Sequence, residues 1–323
     1  MTISNNQTAH KKYVSKFSMM GTIISLTLFE QNEAVVNGVY DYLVTMDKVF
    51  SANRSDSELS KINQNAGIKP VQVSQECFEL IRDAIGYTKQ FPESFNVLIG
   101  PVVKLWKIGF GGKKVPTDEE IKNRLKLVEP DNVILNPSQN SVFLQDTGMQ
   151  LDLGAIAKGY FADRIIDQLK RNGIKSAIIN LGGNVQILGE NPTSVDQKWN
   201  IGIRNPNFED GRSLAIVHTS PQTFVTSGVR ERYFRVNGKT YHHILSPQTG
   251  YPVKNDIVQV SIITDNSELA EVYSTVCFFR GIQAGKRLIE STSNIEGIFV
   301  NERNEITVTE GIKDLGEGVY LHD

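Results

Sequence analysis

The 323-residue chain has few cysteines, no long apolar run and little net charge, and each lack excludes a class of protein. Its two cysteines, Cys77 and Cys277, lie far apart in apolar, helix-like segments, which favours two buried free thiols over a disulfide. No run of eighteen apolar residues occurs, so no transmembrane segment is expected. The net charge of -2 predicts no general affinity for nucleic acid or anionic membranes.

Three common nucleotide-binding and hydrolase motifs are also missing. The chain has no Walker loop, no Gly-x-Gly-x-x-Gly after a predicted strand and no Gly-x-Ser-x-Gly elbow. A P-loop, a nicotinamide-binding Rossmann unit and an acyl-transfer triad are therefore not expected.

Export signals are missing as well. Residues 1–16 lack the apolar core of a signal peptide and a cysteine for lipid attachment, so the chain as given is expected to be cytoplasmic. The alternative is an exported lipoprotein whose export signal has been removed from the sequence.

The order of predicted elements favours an α+β fold with mixed, mostly antiparallel sheets and flanking helices. Apolar residues at helical spacing predict helices over 33–49, 74–87, 117–128, 155–171, 267–279 and 282–291. Between residues 177 and 263 most predicted elements are short strands, and strands at 297–300 and 305–308 are expected to close the chain.

The domain organisation follows from the same reading. Residues 1–16 are polar and are expected to form a mobile tail. Residues 17–323 are expected to form one domain, with two lobes dividing near residues 130–150 and sharing a cleft.

A pair of histidines provides the first candidate for a reactive group. His242 and His243 end a strand-like run and meet a turn that Pro247, Gly250 and Pro252 restrict. A histidine held beside a rigid turn can act as an acid or base at neutral pH.

A lysine at a predicted helix start provides the second candidate. Gly154 permits a tight turn before the helix, and free amides at a helix start attract phosphate. Lys158 lies in the first turn, where a cation is unfavourable for the helix dipole unless an anion offsets it. A phosphate ligand and a lysine that extends into solvent both fit this position.

A third candidate is a pair of oxygen-bearing side chains. Glu271 and Thr275 are four residues apart on a predicted helix and therefore share a face. A carboxylate and a hydroxyl one turn apart can both coordinate a hard cation such as Mg²⁺. A surface glutamate beside a threonine packed by its methyl group is the ordinary alternative.

Two further segments allow a functional and a structural interpretation. The double glycine Gly182-Gly183 permits close approach of a ligand, although a plain hairpin turn is favoured. Arg230 and Arg232 can clamp phosphates or pair with acids on neighbouring strands, and the structural role is slightly favoured.

In this order, the segments resemble the ApbE family of FAD:protein FMN transferases, from about Met20 to Gly281. The resemblance is carried by Met20-Gly21-Thr22, Phe50-Ser51, Asp56 to Leu59, Asn63, Phe95-Asn96, Gly100-Pro101, Leu105-Trp106, Leu151 to Gly159, Gly182-Gly183, Thr226-Ser227-Gly228, His243 to Pro252 and Ala270 to Thr275. It implies an α+β fold in which FAD binds with Mg²⁺ between two lobes.

The resemblance also implies the reaction and the partner. A threonine or serine hydroxyl of an acceptor flavoprotein attacks the phosphorus on the FMN side of the FAD pyrophosphate, and AMP leaves. The acceptor would carry a short flavinylation motif such as Asp-x-x-Ser/Thr-Gly-Ala-Thr.

Individual roles are implied by matching positions. His243 matches the reactive histidine that takes the proton from the incoming hydroxyl. The metal-ligand positions are matched by the Ala155 carbonyl, the Glu271 carboxylate and the Thr275 hydroxyl. The FAD-contacting positions are matched by Met20, Trp106, Asp152, Lys158 and the backbone of Leu245.

Four residues depart from the family pattern. Glu271 replaces an aspartate and is one methylene longer, so the ion must shift, the backbone must yield or a water must bridge. Ser246 and Asn184 also replace aspartates, and Asn53 stands where many members carry an aromatic that stacks on the flavin nucleotide. Two other functions are therefore considered: a Mg²⁺-dependent FAD pyrophosphatase with water as acceptor, and an FAD-binding protein without catalysis.

Overall fold

The computed structural model describes residues 11–52, 54–206 and 211–322. The strands are β1 (Tyr13–Met19), β2 (Thr22–Leu28), β3 (Val71–Gln72), β4 (Val133–Asn136), β5 (Ser141–Leu144), β6 (Ala177–Leu181), β7 (Asn184–Leu188), β8 (Trp199–Arg204), β9 (Ser213–Thr219), β10 (Thr223–Gly228), β11 (Tyr233–Val236), β12 (Lys239–His242), β13 (Ile257–Thr264), β14 (Ile295–Asn301), β15 (Ile306–Val308), β16 (Ile312–Gly316) and β17 (Val319–His322). The α-helices are α1 (Glu33–Phe50), α2 (Glu58–Gln64), α3 (Gln75–Gln90), α4 (Gly100–Trp106), α5 (Asp118–Leu125), α6 (Ala157–Arg171), α7 (Ser267–Arg280) and α8 (Ile282–Glu290).

The centre of the fold is an eight-stranded sheet in the order β1-β2-β6-β7-β10-β13-β14-β15. Every neighbouring pair in it is antiparallel. A four-stranded sheet, β16-β17-β9-β8, contains one parallel pair, β17 with β9. The predicted α+β class with mostly antiparallel sheets is confirmed.

Strand β13 shows why the large sheet has two covered faces. All eight of its residues are buried. Val260 and Ile262 face the main core, which contains residues of α6 and α7, whereas Ile263 faces a second cluster with Trp199 and Val217 of the small sheet. Since alternate side chains of a strand point to opposite faces, β13 contributes apolar residues to the cores on both sides of the sheet.

The amino-terminal prediction needs a correction. Strand β1 begins at Tyr13, so residues 13–16 are not part of a tail, and residues 1–10 lie outside the described chain. The strand pairs with β2 over its whole length, from Tyr13 opposite Leu28 to Met19 opposite Thr22. It is an edge strand with no fully buried residue, so its sequence lacks the strong apolar pattern from which a strand is predicted.

The carboxyl-terminal prediction needs a similar correction. The chain does not close with the strand at 306–308, because β16 and β17 follow and join the small sheet. Four of the five β16 residues are exposed, so its sequence lacks the alternation that predicts a strand.

Most predicted helices are confirmed to within a few residues at each end. Thr117 and Glu120 form a reciprocal capping box at the start of α5, and Ser74 caps α3. Cys77 and Cys277 are free and buried, as expected. Among the described helices, none is long and apolar enough to cross a membrane.

The main core takes residues from both sides of 130–150, from Ile24 to Phe299. The division into two lobes near that segment stays a prediction.

Candidate active site

His243 directly follows β12, at the base of the β11–β12 hairpin. Its backbone N–H donates to the carbonyl of Arg232 at 3.1 Å, and its Nδ1 atom lies 3.2 Å from the same oxygen. Because a carbonyl can only accept, Nδ1 carries the proton of the neutral ring. No described residue hydrogen-bonds Nε2, so this nitrogen is available to accept a proton.

The surroundings of His243 keep its ring neutral. Burial, together with the nearby positive charges of Arg232 and Lys158, lowers the pKa of His243 to about 4, although its hydrogen bond to the Arg232 carbonyl acts in the opposite direction. The imidazole is half-buried rather than sealed from solvent. It is therefore an unprotonated base at neutral pH that a bound substrate can approach.

His242 has the structural role. Its Nε2 atom donates to the Val253 carbonyl at 2.8 Å, and its Nδ1 atom accepts from the Ile244 N–H at 3.3 Å. Both ring nitrogens are used, and burial lowers the pKa of His242 as well. This side chain therefore ties the end of β12 to the segment that follows the turn.

The turn behind His243 is held by Ser246, which is buried. Its Oγ atom accepts from the N–H groups of Gln248 and Thr249 at 3.2 and 3.1 Å, and its backbone N–H donates to the Tyr251 carbonyl at 2.8 Å. An aspartate carboxylate is the usual acceptor in such a turn, and the serine hydroxyl fills the same place here.

Trp106 lies beneath this turn and does not line an open surface. Its side chain is 1% exposed, and its Nε1 atom donates to the Gly250 carbonyl at 2.7 Å. The rings of Phe234 and Tyr241 from the β11–β12 hairpin pack against it at 6.3 and 5.5 Å. In this structure Trp106 anchors the hairpin and the turn, and its predicted contact with FAD stays a prediction.

Leu245 forms an isolated antiparallel bridge with Pro252. The neighbouring Ser246 N–H and Ile244 carbonyl bond across this bridge. Since alternate backbone groups of an extended segment point in opposite directions, the Leu245 amide and carbonyl face away from it. No described residue hydrogen-bonds them, and the binding of a ligand by this backbone stays a prediction.

The loop before α6 is fixed by an asparagine from another part of the chain. Asn63 donates to the Leu151 carbonyl at 3.0 Å and accepts from the Leu151 N–H at 2.8 Å. Asp152 is half-buried and accepts from the Gly154 N–H at 2.9 Å. No described donor reaches the carbonyl of Ala155, the predicted metal ligand in this loop.

Helices α6 and α7 approach so closely that only glycine fits at position 159. A Cβ atom on Gly159 would lie 2.3 Å from the Ser267 carbonyl oxygen. Asp163, one turn later on α6, accepts from the N–H groups of Ser267 and Glu268, both at 3.0 Å. The start of α7 is therefore fixed to α6, and Lys158 is carried next to Glu271.

Glu271 is not the surface residue of the ordinary alternative, because it is only 5% exposed. Its Oε1 atom accepts from Asn184 Nδ2 at 2.9 Å and lies 3.6 Å from Lys158 Nζ. The Lys158 side chain is thus paired with a carboxylate. Neither a phosphate ligand nor a lysine that extends into solvent, the two interpretations of the sequence, includes this partner. Thr275 donates to the Glu271 backbone carbonyl at 3.2 Å, which leaves the lone pairs of its hydroxyl available.

Sequence reasoning missed Glu231 as part of this cleft. Burial among protein atoms and the nearby Glu271 raise the pKa of Glu231, whereas Lys158 lowers it. The side chain is nevertheless exposed to solvent, as expected for a residue at an open cleft. A glutamate between two arginines on a predicted strand carried no distinguishing signal.

The turn between β1 and β2 lies against the same surface. Met20 adopts a positive φ of 54°, which is unusual for a residue other than glycine. The Arg232 guanidinium comes within 4.0 Å of the position that a Cβ on Gly21 would occupy, and it also lies over the Phe110 ring at 5.4 Å. The turn that contains Met20 and Gly21 is therefore close to the Arg232 side chain.

Two further predicted features are the double glycine and Asn53. Gly182 and Gly183 form the turn between β6 and β7, both with positive φ, so the hairpin interpretation is confirmed. Asn53 lies outside the described residues. A groove of about 510 Å³ runs beside Tyr87 and Glu268, and none of the predicted site residues lines it.

Comparison with known proteins places this site in a family context. The ApbE family model matches residues 20–299. An FAD:protein FMN transferase of Klebsiella pneumoniae (strain 342) is 40% identical over 292 residues, which cover 90% of this chain and 90% of that protein. One of Treponema pallidum (strain Nichols) is 32% identical over 320 residues, covering 94% and 88%.

Solved structures agree with the sequence matches. The chain superposes on an ApbE protein of Thermotoga maritima with a TM-score of 0.82 and 27% identity, covering 93% of this chain and 97% of the other. The flavin transferase ApbE of Vibrio cholerae gives a TM-score of 0.81 at 26% identity, with the same coverage.

Proposed function

The chain belongs to the ApbE family, and we propose that His243 is the base with which it transfers FMN from FAD to a hydroxyl group of a target protein. The transferase activity follows from relatives that match nearly its whole length. The observation that carries the role of His243 is its geometry: Nδ1 is held by the Arg232 carbonyl and Nε2 is without a described partner.

The proton transfer suits the state of His243. A threonine or serine hydroxyl is a weak nucleophile, and a neutral imidazole removes its proton as the oxygen attacks phosphorus. When Nε2 takes that proton, the Arg232 carbonyl still accepts from Nδ1–H, so the ring keeps its orientation. The bond from phosphorus to the AMP oxygen breaks, AMP leaves, and FMN remains linked to the acceptor as a phosphoester.

The residues at the start of α6 and on α7 fit a Mg²⁺ ion. A buried carboxylate (Glu271), a hydroxyl (Thr275) and a backbone carbonyl with no described donor (Ala155) are all oxygen ligands, the type that Mg²⁺ prefers. We assign these three groups as its ligands. When bound, Mg²⁺ would neutralise charge on the pyrophosphate.

Lys158 has two tasks in this proposal. With no cation present it balances the buried charge of Glu271 at 3.6 Å. Because its side chain is 31% exposed, it can also meet a phosphate oxygen of FAD at the start of α6. Asp152, Met20 and the Leu245 backbone complete the proposed FAD contacts, and Trp106 supports them from beneath the turn through its hydrogen bond to the Gly250 carbonyl.

The test combines the protein with FAD, Mg²⁺ and candidate acceptor flavoproteins encoded near its gene. Transfer produces a fluorescent flavin band on the acceptor in a denaturing gel, and mutation of the acceptor threonine or serine removes it. Free FMN and AMP without a labelled protein would instead identify a pyrophosphatase. FAD that survives overnight with Mg²⁺ and every acceptor would overturn the catalytic assignment.

A further inference from the structure

A buried amide contacts the carboxylate that we assign to the metal. Asn184 opens β7, and its side chain is 0% exposed. Its Nδ2 atom lies 2.9 Å from Oε1 of Glu271, and its Oδ1 atom accepts from Ser267 Oγ at 3.0 Å. Asn184 therefore joins the large sheet to two residues of α7.

The orientation of this amide follows from its partners. An ionised carboxylate can only accept, so the amide nitrogen must face Glu271 and the amide oxygen must face the Ser267 hydroxyl. Ser267 is itself held, because its backbone N–H donates to Asp163 at 3.0 Å. A flipped amide would place an oxygen against the carboxylate, which makes Asn184 a fixed donor.

The two oxygens of Glu271 consequently differ. Asn184 and Lys158 both approach Oε1, at 2.9 and 3.6 Å. No described residue hydrogen-bonds Oε2. The carboxylate has one held oxygen and one open oxygen, and a cation can take the open one without displacing the amide.

We propose that Asn184 is a positioning residue for the metal: its amide holds Oε1 of Glu271 and leaves Oε2 for the cation. The inference rests on the proposed metal-binding role of Glu271. In this chain the neutral amide of Asn184 adds no second negative charge within hydrogen-bonding distance of the Glu271 carboxylate.

The experiment measures Mn²⁺ affinity by electron paramagnetic resonance, with and without FAD, so that the readout does not depend on transfer activity. Asn184→Ala is expected to weaken Mn²⁺ binding on the order of 10- to 100-fold, as for other residues that orient a metal ligand. Ser267→Ala removes only the hydroxyl that holds Asn184, and a loss of about fivefold is expected.

Gln186→Ala is the matched control. Gln186 lies two residues along β7, is 5% exposed and donates its amide to Asp163 at 2.8 Å rather than to Glu271. Because Gln186 reaches Glu271 only through Asp163 and Ser267, its loss should weaken Mn²⁺ binding clearly less than the loss of the Asn184 amide. If Asn184→Ala and Gln186→Ala cause equal losses, or if neither Asn184→Ala nor Ser267→Ala causes one, the positioning role is wrong.

Glu271→Gln distinguishes a failure of the positioning role of Asn184 from a failure of the proposed metal site. If Glu271→Gln leaves Mn²⁺ affinity unchanged, the proposed metal site is wrong and the role of Asn184 fails with it. If Glu271→Gln abolishes binding while Asn184→Ala and Ser267→Ala leave it intact, only the positioning role is overturned.

Discussion

The two sides of the active site are held in opposite ways. His243 is half-buried at the base of a two-stranded hairpin, and one backbone carbonyl, that of Arg232, orients its ring. Glu271 is 5% exposed on a helix, and the side chains of Asn184 and Lys158 approach its carboxylate. A general base needs a free nitrogen that an incoming hydroxyl can reach, whereas a buried carboxylate needs partners that offset its desolvation.

The two sides also differ in the residues that support His243 and Glu271. Behind His243 the supporting contacts are aromatic packing on Trp106 and turn hydrogen bonds from Ser246. Behind Glu271 they form a chain of polar side chains through Asn184 to Ser267 and Asp163. We therefore expect changes on the histidine side to alter rate, and changes on the glutamate side to alter metal affinity.

The largest expected effect is the loss of His243. His243→Ala should lower the transfer rate by roughly 100- to 10,000-fold, the usual contribution of a general base. FAD binding, followed by flavin fluorescence, should change little. His242→Asn is the control: it can replace part of the structural hydrogen bonding, so it should lower the melting temperature but retain transfer. Loss of FAD binding in His243→Ala would show that His243 is structural.

On the glutamate side, Thr275 offers a clean pair of variants. Thr275→Val removes the hydroxyl but keeps the shape, and the Mg²⁺ concentration needed for half-maximal transfer should rise on the order of tenfold, since one ligand is lost. Thr275→Ser keeps the hydroxyl and should stay close to the original protein. Equal behaviour of the two variants would remove Thr275 from the ligand set, and EDTA should stop transfer in every case.

The pH dependence of kcat/KM sharpens the comparison, because it reports the free enzyme's base. A base works when unprotonated, so the rate falls as pH drops through its pKa. With the pKa of His243 lowered to about 4, kcat/KM should stay nearly level between pH 7 and 5.5. An ordinary histidine with a pKa of about 6.5 would lose about tenfold at pH 5.5.

Arg232→Gln tests the cause of that shift. It removes one of the charges that lower the pKa of His243 but keeps the backbone carbonyl that holds the ring. The pH at which kcat/KM begins to fall on the acid side should therefore rise. Burial lowers the pKa of His243 more than the Arg232 charge does. An apparent pKa of about 6.5 in Arg232→Gln would therefore contradict this explanation.

Local sequence signals predicted the parts of the fold that depend on local chemistry. The cap at Thr117 and the helical face of Glu271 and Thr275 follow from residues three or four apart. The edge strand β1 and the exposed strand β16 were missed because β1 has no fully buried residue and β16 has only one. Their pairing depends on neighbours that are distant in sequence.

The same limit applies to the site. Asn184 and Glu271 are 87 positions apart, so the sequence does not reveal that these two departures from the family pattern touch at 2.9 Å. The lowered pKa of His243 depends on burial and on charges from two other segments, which no local pattern reveals. The buried surroundings of Trp106 were likewise hidden, because aromatic residues suit both cores and ligand sites.

The smallest expected effect concerns Ser246, which also departs from the family pattern. Its hydroxyl accepts from two backbone amides, of Gln248 and Thr249. Ser246→Ala should therefore lower the free energy of unfolding by about 1 kcal/mol, measured in urea, with a small change in kcat/KM. Ser246→Asp can accept from the same amides and should be as stable as the original. If Ser246→Ala is fully stable but slow, the hydroxyl acts on the chemistry of His243, and the histidine side is not held by backbone and turn contacts alone.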